Sequence, residues 1–278
     1  QARNGSNGAT LCTMFIPFEA MDSRHSLTRN EDGTYVLTSK AQVKYAFSES
    51  GNIISMTDRY GNVTRYETDS RGNVTAMIEP SGRRISLVYT DGKLTSVRDE
   101  MSGAAVSYEY SGGNLTTVTV PGGACTYYEY DGSGRLAKIL DHDRNPVEEI
   151  AYNSEGKVDY VIDSNGNKST YSYDMGEGKT TITDSNGRQR IQWYDSTFNV
   201  TKNQDSEGGI TATEYNMTNG MNRYNEQRTL TDRNGRNTYY ERDERGNVTR
   251  QSNPDGTYKL YTYDEYNNII SERNENGN

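Results

Sequence analysis

Carboxylates are plentiful in this sequence, and their spacing defines what they could do. The run Asp141-His142-Asp143-Arg144-Asn145 imitates the opening of a calcium-binding loop. Pro146 stands where such a loop needs Gly, and Tyr152 where it needs a bidentate Glu, so the calcium reading fails on its own pattern. The remaining carboxylates recur at regular intervals, as solvated groups on a periodic surface do, and no one pair stands apart as a glycosidase-like acid and base. His25 and His142 lie over one hundred residues apart, and neither pairs with a Cys or His at ligand spacing. Serines lack a nucleophile elbow, and no Gly-rich phosphate loop opens a helix. Cys12 and Cys125 sit among apolar or β-forming neighbours and read as free buried thiols. These patterns predict no catalytic residues, no metal and no cofactor.

The periodicity that disperses the carboxylates is the main signal. A cassette such as Tyr261-Thr262-Tyr263-Asp264-Glu265-Tyr266-Asn267-Asn268 returns along the chain. Its turn glycines, or stand-ins, fall at Gly51, Gly72, Gly92, Gly113, Gly134, Gly156, Gly178, Phe198, Gly220, Gly246 and Asn267, 20 to 22 residues apart except for one step of 26. A fixed period of this length indicates a repeat architecture that grows by addition.

Each period holds two turns of the form Asp-x-x-Gly. One series includes Asp69 to Gly72; the other includes Asp58 to Gly61, Asp163 to Gly166, Asp184 to Gly187 and Asp232 to Gly235. Asp at the first position can bond the backbone two residues on, and Gly at the fourth supplies a left-handed φ, which predicts a type I turn closed by a bulge. Between turns, one strand type reads Gly-x-φ-x-x-φ with φ apolar, as in Leu115 and Val118 or Leu136 and Ile139. A spacing of three cannot stay on one face of a regular strand, so either a bulge re-aims the start or the two residues face opposite sides. The other strand type ends in Tyr-x-Tyr: Tyr108 and Tyr110, Tyr128 and Tyr130, Tyr171 and Tyr173, Tyr261 and Tyr263. Period two places both rings on one face, and these tyrosines, with Tyr194, are the predicted core. Trp193 shares that neighbourhood and is assigned to core packing.

The predicted fold is all-β: a continuous antiparallel meander of about twenty short strands, which must curl into a spiral, shell-like or tubular sheet because neighbouring strands twist. Residues 1–29 lack the phase and read as a lead-in or cap, residues 30–278 as the array, and 216–235 as an irregular, longer repeat forming a loop or bulged strand. The sequence starts at Gln1 and stops just past a turn glycine, the expectation for a piece of something longer.

Composition bounds the rest. Hydrophobic residues make up 31% of the chain and 23 residues are Tyr, too little aliphatic material for a thick two-layer core. The net charge of -9, with cations spread singly, offers no basic stripe for nucleic acid. No apolar run approaches the roughly 18 residues of a membrane helix, so membrane insertion is not expected. Sequons such as Asn62-Val63-Thr64, Asn73-Val74-Thr75 and Asn247-Val248-Thr249 read as by-products of the period.

Tyr-Asp-x-x-Gly-Asn/Arg-φ-Thr, as in Tyr130-Asp131-Gly132-Ser133-Gly134-Arg135-Leu136, resembles the YD repeat of the RHS family, and Asp58-Arg59-Tyr60-Gly61-Asn62-Val63-Thr64 resembles that family's other recurring phrase. The resemblance spans residues 30–278. It implies a large secreted or surface protein, with relatives in insecticidal toxin complexes and teneurins, whose repeats wind as a spiral sheet around a hollow interior that in some members encloses a C-terminal toxin. The family's Asp-Pro-Gly-Leu segment with its self-cleaving aspartates has no counterpart here, so no autoprotease residue is assigned. The implied role is a non-enzymatic wall segment of a shell or stalk, with the rest of the parent polypeptide or an encapsulated toxin domain as partner. Two alternatives stay open: carbohydrate or cell-surface adhesion through outward Tyr and Trp193, and self-assembly into filaments through exposed sheet edges.

Overall fold

The computed structural model describes residues 13–15, 25–218 and 221–276, with 13–15, 217–218 and 221–225 described by backbone alone. These residues form 25 strands of one sheet, and the sequential neighbours for which pairing is resolved run antiparallel. Strand pairing begins inside the segment read as a lead-in, where Thr13–Phe15 pairs with Ser26–Arg29. The rest of residues 1–24, Cys12 among them, lies outside the described residues.

The contacts divide the chain into two compact units, one of residues 1–63, 174–179 and 190–278, the other of residues 64–173 and 180–189. The second unit shows the repeat most regularly. Cys125–Tyr130 pairs with Leu136–Leu140 around the turn 131–134, and Leu136–Leu140 pairs in turn with Pro146–Tyr152. In the first unit, Tyr258–Tyr263 and Ile269–Asn274 form the same hairpin around the turn 264–267.

The apolar spacing of three is resolved by a bulge inside the strand. Tyr110 faces Leu115 while Glu109 faces Thr117, so Thr116 is the extra residue. The same offset makes Ala137, Thr75, Thr95, Thr201 and Ile270 extra in their hairpins. Both φ residues therefore face the tyrosine side: Val118 sits opposite Tyr108, and Ile139 opposite Tyr128. The bulged residue has an explanation in four of these repeats, because Thr75, Thr95, Thr116 and Thr201 each turn Oγ1 onto a carbonyl of the facing strand at 3.2–3.4 Å. That acceptor lies where the bulge interrupts the ladder.

The turns follow the Asp-x-x-Gly expectation with exceptions. Gly92 and Gly113 close two-residue loops, with φ of +51° and +76° at Asp91 and Gly92 and +56° and +96° at Gly112 and Gly113. Two central residues with positive φ make a type I′ turn, which matches the strand twist without a leading Asp. Phe198 and Asn267 do occupy the glycine position, at φ +63° and +64°. Arg144 takes it at +64°, so the calcium-like run is another turn of the series.

The core is thinner than a buried tyrosine ladder. Among the described residues the buried apolar side chains are Ala76 and Leu140, and the repeat tyrosines are half-buried. Cys125 is likewise half-buried, not buried, with Sγ 3.5 Å from Thr119 Oγ1 and from the Gly123 carbonyl. The irregular repeat is a longer, bulged hairpin of Ile210–Thr218 and Met221–Thr231, with register shifts on either side of Tyr215.

Gly166 tests the turn geometry. A Cβ there would meet nothing within 4 Å, yet φ is +80°. Gly166→Ala is expected to lower stability by about 1 kcal/mol through backbone strain alone, measured by urea denaturation; an unchanged midpoint would mean the turn tolerates another conformation.

Candidate functional site

The feature that recurs in register is a junction between neighbouring hairpins at the Asp-x-x-Gly turns. The turns of both series share one Asp-centred pattern. Oδ1 of Asp58, Asp69, Asp163, Asp184 and Asp232 each accepts the amides two and four residues on, at 2.8–3.0 Å. Gly61, Gly72, Gly166, Gly187 and Gly235 return an amide to the Asp carbonyl with φ between +75° and +87°. The second carboxylate oxygen takes the residue after the glycine: Nδ2 of Asn62, Asn73 and Asn167, and Nε of Arg188 and Arg236. The alternation of Asn and Arg at that position follows from this shared partner.

These bonds hold the carboxyls below their ordinary range. The side-chain bond from Asn62, Asn73, Asn167 or Arg236 is the leading cause at Asp58, Asp69, Asp163 and Asp232, and the Arg188 amide leads at Asp184. An Asp so engaged is a poor proton acceptor and has few lone pairs left for a metal. In the calcium-like run, Asp141 accepts the Asn145 amide and Nδ2, and His142 Nδ1 accepts the Cys125 amide. The sequon amides of Asn62, Asn73 and Asn247 are spent in the same way.

The junction itself is made by the tyrosine that precedes the turn in the other series, before Asp131, Asp174 and Asp264 or before Ser111, Asn153 and Asn216. Ladder pairing between consecutive hairpins is short: Thr117 to Thr119 pair with Tyr127 to Cys125, after which the hairpin ends continue without ladder partners in each other. Across that gap Tyr110 donates its hydroxyl to the Leu94 carbonyl, Tyr130 to Leu115, Tyr152 to Leu136, Tyr173 to Val158, Tyr215 to Val200 and Tyr263 to Val248, all at 2.7–2.9 Å. Each acceptor lies 15 or 16 residues earlier, in the preceding hairpin. A phenol thus supplies a bond that the backbone ladder does not reach. Burial, foremost, raises the Tyr263 pKa, with the Asp243 charge adding to it.

Cations close the junction. Arg135, bound to Asp131 through Nε at 2.8 Å, lies 4.4 Å over the Tyr152 ring of the next hairpin. Lys93 over Tyr110 and Lys157 over Tyr173 repeat the arrangement. Where Arg242 replaces the tyrosine, its guanidinium donates to the Gln227 carbonyl, the acceptor a phenol would have used.

The structure treats the predicted tyrosines unequally. Tyr108, Tyr128, Tyr171 and Tyr261 are half-buried, each followed by an exposed polar residue before the next tyrosine. Tyr110, Tyr130, Tyr173 and Tyr263 make the junction. Tyr194 does neither in the same way: its hydroxyl is 4.0 Å from Met175 Sδ and its ring stacks on Phe198. Trp193 is not part of the tyrosine face. It holds the register position of Glu109 and Glu129, opposite Lys202, whose Nζ lies 4.2 Å from the ring centre. The one-residue offset from Tyr194 turns it to the polar side.

An open cleft of about 450 Å³ lies between the hairpin ends at 90–95 and 108–113, within the second unit. Its Lys93 Nζ is bound to the Gly113 carbonyl at 2.7 Å, so the cleft is lined by residues of the junction.

Residues 25–150 match the Teneurin YD-shell family, and residues 242–278 match the RHS Repeat family. The chain is a YD/RHS-repeat protein. Over 69% of its length the YD/RHS-repeat chain is 27% identical to double-stranded DNA deaminase toxin A of Burkholderia cenocepacia (strain H111), covering 13% of that protein. Its fold is similar to that of the Photorhabdus luminescens Tc holotoxin pore (TM-score 0.55, 12% identity, 95% of this chain and 16% of that one). It is also similar to the TcdB2-TccC3-TEV structure (TM-score 0.51, 12% identity, 96% and 17%). The YD/RHS-repeat chain therefore spans less than a fifth of each of these relatives.

Two outcomes test the junction. Tyr130→Phe removes one hydroxyl and should cost about 1 kcal/mol by urea denaturation, whereas Tyr128→Phe, at a ring that packs without the junction bond, should cost less. The depressed Asp pKa values set the acid response: stability is full above the unfolded value of 3.8 and is lost as pH falls through the lower folded values. Urea midpoints should hold from pH 7 to pH 5 and drop at pH 3; a flat profile to pH 3 would remove the turn carboxylates from the stability account.

Proposed function

We propose that the chain is a non-enzymatic wall segment of a secreted or cell-surface RHS-type shell or stalk, which in its parent polypeptide encloses or presents a C-terminal effector. The observation that carries this reading is the use of the groups that could react: the turn Asp carboxylates and the junction tyrosine hydroxyls are bound to the repeat itself. A surface whose reactive groups are consumed by its own assembly serves as a barrier or support. The likeness to Tc toxin chains and to a protein named as a deaminase toxin supports an effector-bearing parent, and with it an extracellular destination.

The adhesin reading has less to stand on at Trp193, where Lys202 Nζ occupies one face of the ring. Sugar stacking needs an open ring face. A glycan array on which Trp193→Ala abolishes binding would restore that reading. Filament growth through sheet edges would appear as a concentration-dependent rise in particle size by light scattering.

The test of the shell is protease protection in the parent polypeptide. Its C-terminal segment should survive, in the intact protein, a protease that digests the same segment once separated. Equal digestion in both states would overturn enclosure, and effector activity unaffected by deleting the repeats would overturn presentation as well.

A further inference from the structure

Within the first unit, one turn meets two others far away in sequence. Asn267 Nδ2 donates to the Lys40 carbonyl at 2.6 Å, across 227 residues, and Arg59 Nη1 donates to Asn268 Oδ1 at 2.5 Å, across 209. The turn 264–268 thereby touches the turns 39–42 and 58–61 in the same unit. Its own geometry keeps it rigid: Asn268 gives Nδ2 to Asp264 Oδ2 while accepting from Arg59, and Asn267 Oδ1 accepts from Asn247 Nδ2 at 2.9 Å.

The residue types at this meeting are exceptions to the repeat. Asn267 and Gln42 occupy the glycine position of their turns, at φ +64° and +62°. A side chain in the left-handed region is disfavoured relative to glycine, so turn chemistry alone would select glycine at both. Two of the non-glycine positive-φ residues lie in two turns that touch. At Asn267 the side chain does what glycine could not, because it spans from its own turn to the Lys40 backbone.

We infer that Asn267, Asn268 and Arg59 form a clasp that fixes the register of the repeat at 258–274 against the repeats at 35–57, a positioning device separate from the hairpin-to-hairpin junction. The clasp joins turn to turn by side chains, without ladder bonds, and so opens without unpairing any strand. At 267 the fourth turn position thus does more than reverse the chain, because its side chain also reaches the Lys40 carbonyl.

The full chain carries the test. In Asn267→Gly, amide exchange across 39–43 should quicken about tenfold while the turn 163–167 is unchanged, even though glycine relieves the backbone at 267. Unchanged exchange together with higher stability, the result of turn chemistry alone, would overturn the clasp. A second variant guards against a silent substitution: Arg59→Ala removes the other clasp bond while leaving Asn267 in place, and should quicken amide exchange across the turn 264–268 about tenfold. Unchanged exchange across 264–268 in that variant would overturn the clasp.

Discussion

The hydroxyl of the tyrosine that ends the strand before a turn, as at Tyr130, Tyr152 and Tyr173, is the bond on which the array depends. Hairpins are self-sufficient at their turns, where Asp, Gly and Asn or Arg satisfy one another, but a hairpin alone is marginal in water. What makes an array of them is the link from one to the next. The backbone ladder supplies that link over only three residue pairs, such as Thr117 to Thr119 with Tyr127 to Cys125. Beyond them the phenol of Tyr130 reaches back to the Leu115 carbonyl, and Arg135 reaches forward over the Tyr152 ring. The repeats from Leu94 to Tyr173 thus give and receive a polar contact at the same rim, and each further repeat of that kind copies it.

This division of labour accounts for a fold with so little enclosed apolar matter. Ala76 and Leu140 are buried, and much else is half-covered by rings and strand neighbours. A single sheet cannot bury one face as a two-layer domain does, so directional bonds carry more of the specificity. Threonine at the bulge belongs to the same economy, since Thr116 and Thr75 cap carbonyls that the bulge exposes. The polar face is held by charge pairs instead, as between Lys138 and Glu149 at 3.2 Å, and by Lys202 over Trp193.

Much of this was legible in the sequence because each requirement is local. Positive φ at Phe198 and Asn267 follows from their place in the glycine phase, and the Asp-x-x-Gly turns follow from Asp chemistry within four residues. The alternation Tyr-x-Tyr correctly puts two rings on one face, but it cannot say that Tyr130 bonds a carbonyl while Tyr128 packs, since that partner lies 15 residues away in another hairpin. The bulge was foreshadowed by the spacing of Leu115 and Val118, yet its place at Thr116 depends on strand pairing. Its place beside Tyr194 assigns Trp193 to the core, whereas its register, shared with Glu109 and Glu129, puts it on the polar face. The Asn and Arg after the glycine, and the Thr of the sequons, were visible as repeated letters whose bonds only the fold reveals.

The most direct test of the central bond is the exchange of tyrosine hydroxyl protons with water, followed by NMR at low temperature. The hydroxyls of Tyr110, Tyr130, Tyr152, Tyr173, Tyr215 and Tyr263 should exchange slowly and separately from that of the exposed Tyr60, because each is held on a carbonyl. Uniformly fast exchange at all of these tyrosines would contradict the account, leaving the hairpins joined by ladder and ring packing alone.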